Sequence, residues 1–258
     1  MKKIAVSSAF LKNIAYTTMF IDHFFAVVFL AYISWSTAQG IWLDDAYGIY
    51  TAGRAIGRIA FVLFAFMASE GFCHTHSREK YLLRLGIFAL VSEIPFDLAI
   101  NDTFLETEGQ NVYFTLFLGV LALCLIEKFR KRLLLQILGV LLCSALAVFL
   151  RTDYMLMGVL LIVVFYLFRH SFLLKFLAGS IVIYFGTVAL YVVTYWGYGY
   201  PVSVYLDSAI LEMCGLSAFI LIYLYNGKKG RQLPKACYYL FYPLHLLLLY
   251  GMKQWFFV

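Results

Sequence analysis

Charged residues are scarce in this 258-residue chain: 13% are Asp, Glu, Lys or Arg, whereas 64% are hydrophobic. Soluble domains usually contain about 25% charged residues and about half apolar ones. The mean hydropathy of +0.86 reflects the same imbalance. This composition excludes an ordinary soluble fold and predicts a chain embedded in a lipid bilayer.

Cysteine is also sparse, and its distribution excludes two further classes of protein. The five cysteines lie far apart in apolar segments and never in a CxxC spacing, so neither a disulfide framework nor a zinc site is predicted. We predict no other metal site. The net charge is +6, but the basic residues lie in short connections between apolar runs, which argues against nucleic-acid binding.

Apolar runs are too long and continuous for the alternating strands of an outer-membrane barrel. The sequence therefore predicts an all-α fold, a polytopic integral membrane helical bundle with about nine transmembrane helices. No internal repeat or low-complexity linker is visible, so residues 1–258 are treated as one domain. Between 112 and 168, a re-entrant or tilted segment would give the same pattern. Helices are expected near 11–34, 54–74, 80–100, 112–127, 133–150, 155–168, 172–195, 203–225 and 237–257.

Basic and acidic residues alternate between successive connections. The positive-inside rule places the basic connections, and with them the N-terminus, in the cytoplasm. We therefore expect a multi-pass protein of the plasma membrane. The basic set comprises Lys2, Lys3, the stretches 74–80, 127–132 and 169–175, and Lys228, Lys229, Arg231 and Lys235. The opposite set comprises Asp44, Asp45, Asp102, Glu106, Glu108, Arg151, Asp153 and the uncharged stretch 196–200.

Several ionisable residues lie inside the predicted helices. Each such group near the bilayer centre costs at least about 2.5 to 3.5 kcal/mol on insertion scales, so these residues are functional candidates. They concentrate in the first three helices and the last. They are Asp22, His23, Arg58, Glu70, Arg84, Glu93, Asp97, Glu212 and His245.

His23 lies near the middle of the first predicted helix, where a proton-transfer group is reached from both sides. Lys12 precedes it by 11 positions, which places the two about 20° apart around the helix and about 16 Å apart along it. A long cofactor with phosphates at the surface fits this stripe. The alternatives are a neutral His23 bonded to a neighbouring helix and a Lys12 that only anchors the interface.

Glu93 and Asp97 share one face of the third helix, on either side of Pro95. Two carboxylates so close repel each other unless a cation lies between them, and Arg58 is the expected cation. If a carboxylate orients His23, this helix is the expected source of it. Glu70 and His74 share a face of the second helix. His74, Arg78 and Arg84 are candidates for phosphate binding, although anchoring at the membrane surface explains them equally well.

Five local strings carry a resemblance to a known family. They are LKNIAYTTMFIDHFFAVVF, GRAIGRIAFVLFAFMASEGFCHT, KYLLRLGIFALVSEIPFDLAI, QNVYFTLFLGVLAL and YYLFYPLHLLLLY. Together they resemble the TraX family of integral membrane proteins, whose known member acetylates the N-terminus of pilin. The family is related to the acyltransferase-3 proteins and the lysosomal heparan acetyltransferase. In that superfamily a basic residue precedes a catalytic histidine by 11 positions, as Lys12 precedes His23.

The resemblance implies a membrane acetyltransferase. Acetyl-CoA, as co-substrate, would enter from the cytoplasm, and the acceptor amine or hydroxyl would arrive from outside; a pilin-like N-terminus is one candidate for it. A small-solute or proton-coupled transporter and a non-catalytic assembly protein are the alternatives. The expected catalytic residues are His23, Asp22, Glu93 and Asp97. The expected cofactor-binding residues are Lys12, His74, Arg78, Arg84 and His245, and the expected substrate-binding residues are Arg58, Glu70 and Asn111.

Overall fold

The computed structural model of the chain describes residues 5–107, 109–195 and 202–257. Within these ranges the elements are helices without a named strand, which confirms the all-α prediction. α1 (Ser8–His23) continues through a π-helical segment, Phe24–Phe29, into α2 (Leu30–Ala38). The others are α3 (Ala46–His74), α4 (Arg78–Asn101), α5 (Val112–Lys128), α6 (Leu133–Phe149), α7 (Met155–Leu167), α8 (Phe172–Tyr195), α9 (Val202–Met213), α10 (Ala218–Leu224) and α11 (Lys235–Phe257).

Four helical stretches in the described ranges are long and apolar enough to cross a membrane. α6 and α7 are apolar but shorter, and charged residues interrupt the apolar face of α4. The chain is therefore a helical membrane protein, and the count of nine crossings stays a prediction. The four stretches are Ser8–Ala38, Ala46–His74, Phe172–Val192 and Leu206–Leu224.

Some predicted boundaries differ from the observed ones. The first helix is longer than predicted, because Ser7 caps its start by accepting a hydrogen bond from the Phe10 amide at 3.3 Å. α3 begins at Ala46 rather than near 54. The predicted helix 203–225 is divided by a 3₁₀ turn, Cys214–Ser217. Lys2, Lys3, Glu108 and the stretch 196–200, which enter the orientation argument, lie outside the described residues.

The connections lie alternately at two ends of the bundle. We call the end with Lys12, His74 and Arg78 the basic end, and the end with Asp45 and Asp102 the acidic end. Short backbone links tie distant segments together at each end. At the basic end Val6 pairs with Tyr225, and at the acidic end Gln110 pairs with Thr152.

α3 is the central helix, because 61% of its most apolar window is buried, against 28–33% for the other three membrane-crossing stretches. It packs against α1, α5 and α7 and against the 3₁₀ turn. The outer helices expose leucine stripes where lipid is expected. On α6 these are Leu134, Leu138, Leu141 and Leu142. Four charged residues of α1, α3 and α4 are buried in the protein rather than exposed to lipid: Asp22, Arg58, Glu93 and Asp97.

Candidate active site

Two histidines from opposite ends of the sequence meet inside the bundle. His23 is the last residue of α1, and His245 lies in α11. Their Nδ1 and Nε2 atoms, respectively, are 2.7 Å apart, and the ring centroids are 4.9 Å apart with an interplanar angle of 27°. His245 is 4% exposed. The prediction that a carboxylate of α4 orients His23 is wrong, because the hydrogen-bond partner of His23 is a second imidazole.

The hydrogen bonds assign a tautomer to both rings. Nδ1 of His245 lies 2.9 Å from the carbonyl oxygen of Phe241. A carbonyl only accepts, so Nδ1 of His245 carries a proton, and in the neutral ring Nε2 accepts. Nδ1 of His23 must then donate to it. This leaves a lone pair on Nε2 of His23, the form required for a base or a nucleophile.

The π-helical segment starts directly after His23. Its wider turn shifts the helix register between the histidine and the outer part of the same rod. Phe25 of this segment lies against α3 at Gly53, where an added Cβ would come within 2.1 Å of the Phe25 ring. Such π-helical turns occur frequently at functional sites. The local backbone around His23 is therefore fixed by both the helix distortion and the contact with α3.

Asp22, the neighbour of His23 in sequence, belongs to a buried ion cluster and not to the imidazole pair. Its carboxylate accepts from Arg54 at 2.8 Å and from Arg58 at 2.6 Å. Arg58 also pairs with Glu212 of α9. The expected pairing of Arg58 with Glu93 or Asp97 is therefore wrong. The opposite charges in this cluster compensate one another, so a structural role is enough to account for the burial of Asp22, Arg58 and Glu212.

A glycine makes this cluster possible. A Cβ added at Gly57 of α3 would lie 2.1 Å from the Asp22 carboxylate oxygen, so any side chain there would displace the carboxylate. Arg54 was missed in the sequence, although it lies four residues before Arg58 and shares its helix face. That spacing could have revealed it.

Glu93 and Asp97 have different surroundings although they share a helix face. Glu93 accepts from the Asn111 side chain through Oε2, while its Oε1 is buried without a partner among the described residues. Asp97 accepts from the Glu106 amide at 2.9 Å and from the Asn101 side chain at 3.4 Å. Asp97 therefore serves to hold a loop at the acidic end, and Glu93 is the carboxylate that retains a free acceptor.

Asn111 connects α4 to the start of α5. Its Nδ2 donates to the Ala89 carbonyl at 2.7 Å, and its Oδ1 accepts from the Tyr113 amide at 3.0 Å. It is thus the N-cap of α5 as well as the partner of Glu93. Asp153 lies nearby in the connection between α6 and α7, and its amide donates to the Gln110 carbonyl at 2.8 Å. Burial raises the pKa of Asp153 to about 7, with Arg58 opposing part of the rise.

A cavity of about 390 Å³ lies at the basic end, and neither His23 nor His245 is among the residues that line it. It lies between α1, α3, α4, α5, α11 and the segment 225–232. Tyr242 forms part of its wall and lies edge-on to both histidines, with ring centroids 5.9 Å from His23 and 5.6 Å from His245. The polar and aromatic lining includes Lys12, Tyr16, Glu70, His74, Tyr81, Arg84, Tyr113, Lys229, Gln232, Tyr238 and Tyr242.

Of the five residues expected to bind the cofactor, three line this cavity. Lys12 donates to Gln232 at 3.0 Å and lies 4.5 Å from the centre of the Tyr238 ring. Nδ1 of His74 is 2.9 Å from the backbone oxygen of Glu70, not from its carboxylate. Nε of Arg84 is buried and has no hydrogen-bond partner within the described ranges. The basic wall of the cavity thus combines Lys12, His74 and Arg84 with a second lysine, Lys229.

The other two expected cofactor residues are placed differently. Arg78 lies 3.5 Å from Glu127 and 4.5 Å from the centre of the Phe72 ring, and it does not line the cavity. His245 is bound to His23. Of the expected substrate residues, Glu70 lines the cavity, whereas Arg58 and Asn111 lie in the clusters described above. The pairing of the two histidines could not be foreseen, because hydropathy does not determine which helices are neighbours.

Comparison with known proteins adds a family to this geometry. The family model described as TraX protein matches residues 7–253. The chain is 29% identical over 270 residues to a probable fimbrial assembly protein FimC, serogroup H1, of Dichelobacter nodosus, and the match covers 98% of each chain. No solved structure matches. Because the family model covers nearly the whole chain, including both histidines, the chain belongs to the TraX family.

Proposed function

We propose that this protein is an integral membrane acetyltransferase that moves an acetyl group from acetyl-CoA to an acceptor on the other side of the membrane. The observation that carries the proposal is the neutral histidine pair, with its free Nε2 on His23, next to a cavity with a basic wall. A neutral imidazole with one assigned lone pair suits general base catalysis near pH 7. We also propose that the chain is related to the wider superfamily that contains the acyltransferase-3 proteins.

The cavity has suitable chemistry for the donor. Lys12, His74 and Arg84 line it, and cationic side chains bind phosphate groups. Lys12 and His23 lie 11 residues apart on one continuous helix, about 16 Å along its axis. Acetyl-CoA bound with its phosphates at the basic end would therefore extend its thioester toward Tyr242 and the histidines. In the plasma membrane, the basic end would face the cytoplasm.

The reaction needs one proton to move from the acceptor to the leaving group. The acceptor nitrogen or oxygen attacks the thioester carbon while Nε2 of His23 takes its proton. The carbon–sulfur bond then breaks, and the thiolate takes the proton back from Nε2. Glu93, through its free Oε1, would hold the acceptor by accepting a hydrogen bond from it. A transient acetyl group on Nε2 of His23 is the second possible route.

A peptide amine is the acceptor that we propose first. The similar Dichelobacter nodosus protein is described as a probable fimbrial assembly protein, and assembly of a fimbria involves protein subunits. A buried carboxylate oxygen without a partner also suits an N–H donor of an incoming amine. The N-terminus of a pilin-like peptide belongs to a fimbrial subunit and also carries an amine that can donate a hydrogen bond.

The test is incubation of the purified chain in detergent with acetyl-CoA labelled in the acetyl group. We expect CoA release that increases with a peptide carrying a free α-amine, and transfer of the label to that peptide. The same peptide with a blocked amine is the control. If no CoA is released with or without acceptor, while the protein in vesicles accumulates a solute or protons, the transporter alternative is the correct one.

A further inference from the structure

Tyr242 has a hydroxyl that no contact in the fold explains. The side chain is 2% exposed, and its oxygen has no hydrogen-bond partner among the described residues. Two other tyrosines of the cavity wall donate to carbonyl oxygens: Tyr16 to Tyr238 at 2.8 Å and Tyr113 to Tyr239 at 3.3 Å. A buried hydroxyl without an acceptor costs free energy that a phenylalanine would not. An unmet donor at this position therefore points to a ligand.

The position of Tyr242 joins the cavity to the histidines. Its ring lies edge-on to both imidazoles and belongs to the cavity wall. Tyr242 and His245 are three residues apart on α11, so they share a helix face. Tyr242 is therefore a cavity residue that contacts both histidines, and a thioester held between the cavity and His23 would lie beside it.

The start of α5 approaches the same hydroxyl. The Asn111 amide is directed to Glu93, and the Tyr113 amide to the Asn111 side chain. The amide between them, that of Val112, lies near the Tyr242 oxygen but does not meet the geometry of a hydrogen bond. The first amides of a helix carry a partial positive charge, and such a charge near a hydroxyl oxygen makes the hydroxyl a stronger hydrogen-bond donor.

We infer that Tyr242 is a catalytic residue of the acyl transfer proposed above, and that its hydroxyl donates a hydrogen bond to the thioester carbonyl oxygen. This inference rests on the proposed function. When the acceptor attacks, the carbonyl π bond opens and its electron pair moves onto that oxygen. The Tyr242 hydroxyl stabilises the resulting oxyanion. The electron pair returns when the carbon–sulfur bond breaks, and the tyrosine keeps its own proton throughout.

The experiment compares Tyr242→Phe with wild type in the full-length protein, using acetyl-CoA with glycinamide as acceptor and acetyl-CoA with water alone. Tyr242→Phe should lower kcat by about 100- to 1,000-fold, the usual effect of losing one oxyanion donor, with little change in the KM for acetyl-CoA. Hydrolysis by water passes through the same oxyanion and should fall by the same factor. Tyr250→Phe, two helical turns further along α11, is the matched control and should remain near wild type.

The outcomes separate the inference from the proposed function. If the wild-type protein turns over and the kcat of Tyr242→Phe is within threefold of the wild-type value, the inference is wrong but the proposed function stands. A loss seen only with glycinamide would also overturn it, because it would place Tyr242 at the acceptor. Absence of CoA release from the wild-type protein would remove the proposed function and this inference with it.

A second variant decides the matter if Tyr242→Phe does not fold. Incorporation of 3,5-difluorotyrosine at position 242 keeps the size and the hydroxyl but makes the phenol more acidic. We expect activity to fall as the pH rises through ionisation of the fluorinated phenol, because a phenolate cannot donate. Wild type should show no such fall over that range, and superimposable pH profiles would contradict the inference.

Discussion

At the scale of single residues, the histidine pair divides one task between two imidazoles. The Phe241 carbonyl holds the proton on Nδ1 of His245, and His245 holds the proton on Nδ1 of His23. In many hydrolases a carboxylate orients the catalytic histidine. Here the orienting group is neutral, which avoids burying another negative charge beside Asp22. The arrangement fixes the tautomer of His23 without the desolvation cost of a carboxylate.

This division predicts unequal effects of substitution. His23→Ala should lower kcat by about 100- to 10,000-fold, because the general base is lost. His245→Ala should lower kcat less, by about 10- to 100-fold, because Nε2 of His23 remains but its ring is no longer oriented. Both variants should still bind CoA, which equilibrium binding of labelled CoA would check.

The reverse order of effects would contradict the assignment. If His245→Ala abolished turnover while His23→Ala kept it near wild type, the base would be His245. An equal and complete loss in both would indicate that the two rings act as one unit, with a proton shared between them.

The sequence identifies individual residues here better than it identifies their partners. The insertion cost of ionisable groups pointed to His23, Asp22, Arg58, Glu93 and His245 before any geometry was known. Their pairing required the packing of the helices. Tyr242 could not be found, because a tyrosine in an apolar helix carries no insertion cost large enough to distinguish it from a packing residue.

At the scale of helices, the contact between α1 and α3 depends on small residues opposite bulky or charged ones. Gly53 accommodates the Phe25 ring and Gly57 the Asp22 carboxylate. Gly215 of the 3₁₀ turn lies against the α3 backbone at Arg58, where an added Cβ would be 2.9 Å from the carbonyl oxygen. These glycines bring three segments close enough for one ion cluster. Small residues allow such approaches generally in membrane helices.

Gly57→Ala should therefore destabilise the protein by about 1–3 kcal/mol, because the new methyl group overlaps the carboxylate. Gly251→Ala in α11 is the matched control, since no atom lies within 4 Å of the added Cβ. Alanine is the better helix former, so the control should be neutral or slightly stabilising. Thermal unfolding of both variants in detergent would check this, and equal midpoints would show that α1 and α3 adjust without cost.

The ion cluster predicts which second substitution compensates for a first. Arg58→Ala should cost about 3–5 kcal/mol by leaving Asp22 and Glu212 without their shared cation. Asp22→Asn or Glu212→Gln in the same chain should restore part of that loss. Glu93→Gln should not, because Glu93 is bound to Asn111 instead. A double-mutant cycle of unfolding free energies measures the coupling, and additive losses with Asp22→Asn would contradict the contact.

Helices were easier to foresee than their interruptions. The apolar runs predicted all the long helices, because hydropathy and length determine that property. The division between α9 and α10 was not predicted, since the 3₁₀ turn at Cys214–Ser217 depends on the contact of Gly215 with Arg58. The π-helical turn after His23 likewise leaves no hydropathy signal. The π-helical turn lies next to the candidate site and the 3₁₀ turn next to the ion cluster, and at both places tertiary contacts outweigh local preference.

At the scale of the whole molecule, the charge is divided between two ends and the cavity opens at one of them. The basic end carries the cavity wall with Lys12, His74 and Arg84, whereas Asp97 and Asp102 hold contacts at the acidic end. In the proposed function, this polarity would attract the phosphate groups of the donor to the basic end and an amine acceptor to the acidic end. The histidine pair lies between them. The proposed transfer across the membrane requires such an arrangement.

This polarity predicts the orientation of the chain in the cell. Single cysteines placed at Arg78, Arg130 or Lys229 of a cysteine-free variant should resist a membrane-impermeant maleimide added outside intact cells, because the positive-inside rule places these positions in the cytoplasm. Cysteines at Asp45 or Glu106 should react. Permeabilised cells, in which all five positions should react, are the control for exposure. Strong labelling at position 130 in intact cells would show that the topology is inverted. Acetyl-CoA would then have no access to the cavity from the cytoplasm.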